Sequence, residues 1–170
     1  ATLIIAFNDV ISSIFFSKDF YAARAFVPIL VLAILLNGFA DFAGSVFIAE
    51  KKTTILFIST FLSAVVNIIL NILLIPSIGG YGAAIATCIS FGAMWILRLA
   101  LSRKYIHLSI KPFKFYFYLA LIVVEVIIMT VGIRMSWLYS ALIVFLILLF
   151  ERELIINTFK HIKNGGFQND

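Results

Sequence analysis

The chain has 170 residues, of which 64% are hydrophobic and only 12% charged, with a mean hydropathy of +1.16. Soluble domains hold about 45–50% apolar and about 25% charged residues, so this balance excludes an ordinary soluble domain and defines an integral membrane protein. The net charge of +5 does not imply a nucleic-acid partner, because the basic residues fall in short loops between apolar runs, where a membrane accounts for them.

A helix needs about 20 apolar residues to cross about 30 Å of hydrocarbon. The first run, residues 2–16, is partial and reads ATLIIAFNDVISSIFF with its flanks. It has no basic leader and no small-residue cleavage site, so it is not a signal peptide. It reads as a helix cut partway along, and the chain is expected to be a fragment or a C-terminal half. Further runs cover residues 26–49, 53–75, 81–101, 113–133 and 137–150. All are continuously apolar without period-two alternation, which predicts helices rather than barrel strands. The expectation is an all-α polytopic bundle of about six spans over residues 1–156, followed by a polar tail over 157–170.

Loop charge sets the orientation. The junctions SKDFYAAR, EKK, PSIGG, SRKYIHLSIK and RMS must alternate between the two membrane faces. One face collects Lys51, Lys52, Arg103, Lys104, Lys111, Lys114, Arg152, Lys160 and Lys163, with Arg98 just inside its boundary. The other holds only Lys18, Arg24 and Arg134. The positive-inside rule makes the first face cytoplasmic, puts the C-terminus inside and turns PSIGG outward.

Charges are costly in hydrocarbon and usually face a bundle interior or a cavity. Asp9, Asp41, Arg98 and Glu125 stand out, with Asn37, Asn67 and Asn71 as uncharged companions. Asn37 and Asp41 are four apart and share a helix face, with Gly38, Gly44 and Ser45 nearby to admit another backbone. Asp41 lies about eight residues, or roughly 12 Å, from the EKK loop; Arg98 lies roughly 8 Å from its own cytoplasmic junction. These depths permit an Asp41–Arg98 pair, or Arg98 can reach to the headgroups on its long stem. Glu125, near the middle of its run, is either a protonatable coupling site or a neutral glutamate hydrogen-bonded between helices. Asn67 and Asn71 share a second face, as interhelical bonds or as cavity lining. Cys88 sits inside an apolar run and forms no thiol cluster. His107 and His161 are far apart without a carboxylate at ligand spacing. No catalytic triad, metal motif or P-loop is present, so no enzyme, metal or cofactor is expected.

The most punctuated stretch is VVNIILNILLIPSIGGYGAA. Pro76 is expected to end the third span, because it cannot continue the helical bonds. Gly79, Gly80 and Gly82 are expected to permit a tight reversal on the outer face. The following GAAIAT is a run of small residues suited to close contact.

At these residues the sequence resembles a family. The pattern NIILNILLIPSIGGYGAAIAT is similar to the signature hairpin of polysaccharide flippases, the Wzx-type members of the multidrug/oligosaccharidyl-lipid/polysaccharide (MOP) exporter superfamily. VISSIFFSKDFYAARAFVPILVLA resembles that family's short outer loop and following helix, with a shorter A-F-V-P-I-L spacing and with SKD where relatives often show a glycine and an acidic residue. GSVFIAEKKTTILFIST resembles its basic turn between helices. The resemblance covers about residues 10–105. It implies two lobes in a V-shaped arrangement about a central cavity, this chain being most of the C-terminal lobe and its partner the missing N-terminal lobe. It also implies a bacterial inner membrane location, an undecaprenyl-diphosphate-linked oligosaccharide as substrate, a polysaccharide polymerase as partner, and O-antigen or capsule synthesis as the setting. An ion gradient would couple through Asp41 or Glu125. Arg24 and Arg98 would contact the anionic group, and Asn37, Asn67 and Asn71 would line the cavity. These positions come from their placement in the spans, since no family motif assigns them. The alternatives are a multidrug or cation antiporter of the same superfamily, a membrane-embedded transferase, for which the chemistry is missing, and a structural bundle.

Overall fold

A computed structural model describes residues 1–6, 25–105, 112–131 and 139–145. The regular elements are α1 (Thr2–Ala6), α2 (Val27–Ala49), α3 (Thr53–Ile78), α4 (Gly80–Ser102) and α5 (Pro112–Val131), and residues 139–145 form a further helical segment, α6. Among the described residues every regular element is helical, and α2, α3 and α4 are each long and apolar enough to cross a membrane. The apolar stretch of α5, Phe115–Val131, is shorter. The fold is therefore a polytopic membrane helix bundle. The remainder of the first expected span, much of the last, and the tail at 157–170 lie outside the described residues, as do Asp9, Arg24, His107 and His161.

Local chemistry sets the ends. Pro28 stands in the first turn of α2, where its missing N–H is not needed. At the other end the N–H of Lys51 donates to the Ile48 carbonyl at 3.0 Å and that of Lys52 to the Phe47 carbonyl at 2.7 Å. Lys51 takes a φ of 55° to close this Schellman motif, which frees only Lys52 as linker before α3.

The hairpin between α3 and α4 departs from the expectation that Pro76 ends the third span. The helix runs on through Pro76 to Ile78. Pro76 forfeits one bond near the C-terminal end, where few remain to lose, and the Gly79 N–H donates to the Ile75 carbonyl at 2.8 Å to close the terminus. The reversal is made by Gly79 alone, at φ 57° and ψ −132°, a backbone conformation that residues with a Cβ avoid. Gly80 and Gly82 are instead helical residues of α4. A Cβ at Gly82 would lie 2.6 Å from the Leu74 carbonyl carbon and oxygen, so its role is close approach of the two helices. A Cβ at Gly80 would meet the Phe26 ring at 2.8 Å.

Helix α4 is the centre of the described bundle, packed along both α2 and α3, whereas α2 and α3 touch each other far less. Ring pairs fix α2 and α4 as parallel neighbours: Phe26 meets Tyr81 at 6.0 Å, Phe39 meets Trp95 at 5.7 Å, and Phe47 meets Tyr105 at 5.9 Å. The partners advance together along both chains. Helix α3 runs antiparallel to α4. The interfaces rest on small residues, with Ala33, Ala40, Ala43 and Gly44 buried on α2 and Gly82, Ala84, Ala86 and Ser90 on α4. Lipid offers apolar side chains as good a solvent as protein does, so such helices associate by close contact and hydrogen bonding rather than by hydrophobic burial. Helix α3 shows this most plainly. Its fully buried residues are Ser59 and Ser63, while Phe57, Ile58, Phe61, Ile68, Ile72 and others lie exposed. Helix α5 joins the bundle through a core of Ile5, Leu32 and Val126, and through Phe115, whose ring packs against Phe39 at 5.1 Å and Trp95 at 5.7 Å.

Candidate functional site

The polar residues singled out from the sequence gather into a track along α3 and α4, with a branch onto α2. At its cytoplasm-directed end Arg98 is buried, with 4% of its surface exposed. The headgroup-reaching conformation is therefore not the one adopted. Its Nε donates to Ser59 Oγ at 2.9 Å and its Nη2 to Thr60 Oγ1 at 2.9 Å, both on α3. Its Nη1 donates to the Ala40 carbonyl at 3.2 Å and to Asp41 Oδ1 at 3.0 Å, both on α2. One planar guanidinium thus ties three helices, a task suited to arginine's fixed fork of donors and beyond a lysine. Gly44 makes the room: a Cβ there would lie 3.2 Å from Arg98 Nη1 and 3.0 Å from Leu56 Cδ2.

Asp41 is the asymmetric partner. Its side chain is 64% exposed while that of Arg98 is 5% exposed. Asn37 Nδ2 donates to Asp41 Oδ2 at 3.1 Å, so the carboxylate is held from both sides and still opens to the surface of α2. Ser45 is exposed on the same helix and donates to the Phe42 carbonyl at 2.7 Å. Gly38, beside Asn37, has nothing within 4 Å of where a Cβ would be, so this face has free space.

Further along, Ser63 Oγ donates to the Ser90 carbonyl at 2.9 Å. Asn67 Nδ2 donates to Thr87 Oγ1 at 3.4 Å and to Ser90 Oγ at 3.2 Å. Asn71 Nδ2 donates to Asn67 Oδ1 at 2.8 Å. The structure therefore joins Asn37, Asp41 and Arg98 in one cluster and Asn67 and Asn71 in a second, with Ser59 and Ser63 between them. The hairpin residues Pro76, Gly79, Gly80 and Gly82 lie at the far end of the same helix pair. Glu125 belongs to neither cluster: it is buried on α5 beside Thr2 and Ser140. Arg24 lies outside the described residues.

Sequence reasoning missed Ser59, Thr60, Ser63, Thr87 and Ser90. Ser59, Ser63, Asn67 and Asn71 recur every fourth residue and so form one polar stripe on an otherwise apolar helix. That spacing was the available signal. Small hydroxyl residues are common in membrane helices, and this dilutes it.

Among the described residues no group of three His, Cys, Asp or Glu stands together as a metal site of that kind. Cys88 is a free thiol at the edge of the core. The site's chemistry is thus that of oriented donors, acceptors and two opposite charges within an apolar bundle.

No family model and no solved structure matches the chain. The chain is similar to a probable low-salt glycan biosynthesis flippase, Agl15, of Haloferax volcanii, with 34% identity over 94 residues. The match takes in 55% of this chain and 20% of that protein, so the shared stretch is about a fifth of the relative's length.

Proposed function

We propose that this chain is part of a membrane transporter that moves a lipid-linked glycan across the bilayer. The observation that carries the reading is its similarity to a protein named as a glycan biosynthesis flippase. The geometry is compatible with it. A polar track within an apolar bundle, opening at Asp41 and Asn37, gives hydroxyls and amides to a sugar while lipid chains stay in hydrocarbon. Nothing in the arrangement supplies a nucleophile or general base, which favours transport over catalysis.

The finer proposal is a Wzx-type flippase of the MOP superfamily, acting on an undecaprenyl-diphosphate-linked oligosaccharide from inner to outer leaflet for O-antigen or capsule. This chain would be most of its C-terminal lobe, in a bacterial inner membrane with the C-terminus cytoplasmic, working beside an N-terminal lobe and a polysaccharide polymerase. Alternating access would be rocking of the lobes about a central site. Asp41 and Glu125 are proposed for ion coupling, Arg24 and Arg98 for the anionic group, and Asn37, Asn67 and Asn71 for the cavity wall.

The test is complementation. The full-length gene is expressed in a bacterium lacking its own O-unit flippase, and surface polysaccharide is scored for wild type and Asp41→Asn at equal protein level. Restoration by wild type supports the cargo, and its loss in Asp41→Asn supports a mechanistic Asp41. No restoration by a well-expressed wild type counts against this cargo and favours the antiporter of the same superfamily.

A further inference from the structure

Glu125 sits near the middle of α5 with 1% of its surface exposed, yet neither carboxylate oxygen closes a hydrogen bond among the described residues. Two hydroxyls stand beside it, those of Thr2 on α1 and Ser140 on α6. Ser140 is equally buried, and its Oγ likewise lacks a partner. Three separate elements thus aim oxygen atoms at one place without satisfying one another. The contrast with the α3–α4 seam is sharp. There, buried Ser59, Ser63, Ser90 and Arg98 all hold hydrogen bonds.

The charge around Glu125 is equally unresolved. Helix α1 (TLIIA) and residues 139–145 (YSALIVF) carry no basic side chain. The one basic residue of α5, Lys114, is about three turns away along the helix. The charged residue of α2, Asp41, is engaged by Arg98. The neighbour Val126 belongs to the apolar core with Ile5 and Leu32. An ionised carboxylate in such surroundings is strongly disfavoured unless a counter-charge reaches it.

We propose that Glu125, Ser140 and Thr2 form a binding site for a small monovalent cation of the sodium class. The carboxylate supplies one negative charge, which balances one positive charge and leaves the buried site neutral. The two hydroxyls supply neutral oxygen ligands. An all-oxygen set suits a hard cation. A single carboxylate is poor provision for a divalent one, which draws on six or more oxygens and usually several acids. Because the donors come from α1, α5 and α6, an ion bound here would clamp these elements together. The site is independent of the cargo, since ion binding is measured without any glycan.

The experiment uses full-length protein in detergent at fixed pH and fixed ionic strength. Thermal unfolding is followed in sodium, potassium or choline chloride, and sodium uptake is measured with the radioactive ion. The expected result is a saturable, sodium-specific rise in melting temperature for wild type. Glu125→Gln should fold and lose the response. Ser140→Ala should need about 10-fold more sodium for half its effect, as for removal of a supporting ligand. A wild type that melts alike in all three salts overturns the proposal, and so does a sodium response retained in Glu125→Gln. A melting temperature that follows pH with no cation preference would assign Glu125 a proton instead and also overturns it. If Glu125→Gln does not fold, an unchanged sodium response in Ser140→Ala counts against the site on its own.

Discussion

Replacing Arg98 by alanine removes four hydrogen bonds at once, to Ser59, Thr60, Ala40 and Asp41. Interhelical hydrogen bonds in membrane proteins contribute about 0.6–1.7 kcal/mol each. The bond to Asp41 is discounted because that side chain is 64% exposed and solvent-screened. The three buried bonds then total roughly 2–5 kcal/mol, and the void left beside Gly44 adds to this. Arg98→Ala is therefore expected to cost about 3–5 kcal/mol. Arg98→Lys keeps the charge but loses the fork, and should cost about 1–3 kcal/mol. Asp41→Asn retains an acceptor for Nη1 and should cost less than about 1 kcal/mol. The assay is reversible unfolding in mixed micelles, with the double variant Arg98→Ala/Asp41→Ala closing a cycle for the pair. Arg98→Ala within about 1 kcal/mol of wild type would refute the claim that this residue joins the three helices. So would an Asp41→Asn variant as unstable as Arg98→Ala.

Two further outcomes are expected. Gly82→Ala should destabilise the α3–α4 hairpin, because the new methyl would lie 2.6 Å from the Leu74 backbone, while Gly38→Ala should be neutral or stabilising because nothing lies within 4 Å; melting temperatures of the two variants give the comparison, and equal values would contradict it. In a Cys88→Ser background, cysteines placed at Lys52 and Ser77 should react with an impermeant maleimide from opposite faces, Lys52 from the cytoplasm and Ser77 from outside; labelling of both from one face would refute the orientation read from loop charge.

Span content was legible because it depends on local apolarity alone, and each of α2, α3 and α4 coincides within a few residues with an apolar run. The hairpin was legible in kind but not in detail. Pro76 and the three glycines announced a reversal, yet which glycine turns and which admits a neighbour depends on where Leu74 and Phe26 come to lie. The meeting of Asp41 with Arg98 followed from matching depths in the bilayer, because helices of fixed rise convert sequence distance into height. The side of Arg98 that faces Ser59 and Thr60 had no such cue, since depth says nothing of azimuth. The neighbours of Glu125 come from two segments distant in the chain, and no pattern around Glu125 names them.

All four acceptors that engage Arg98 precede it in the chain: Ala40 and Asp41 on α2, Ser59 and Thr60 on α3. A chain made from its N-terminus delivers these acceptors to the bilayer before the donor emerges. The guanidinium, costly to leave alone in hydrocarbon, thus arrives at a berth already assembled. A circular permutation that puts α4 ahead of α2 and α3 would keep every contact of the finished bundle while reversing that order, so the arginine that steadies the folded protein would become an obstacle to its own insertion.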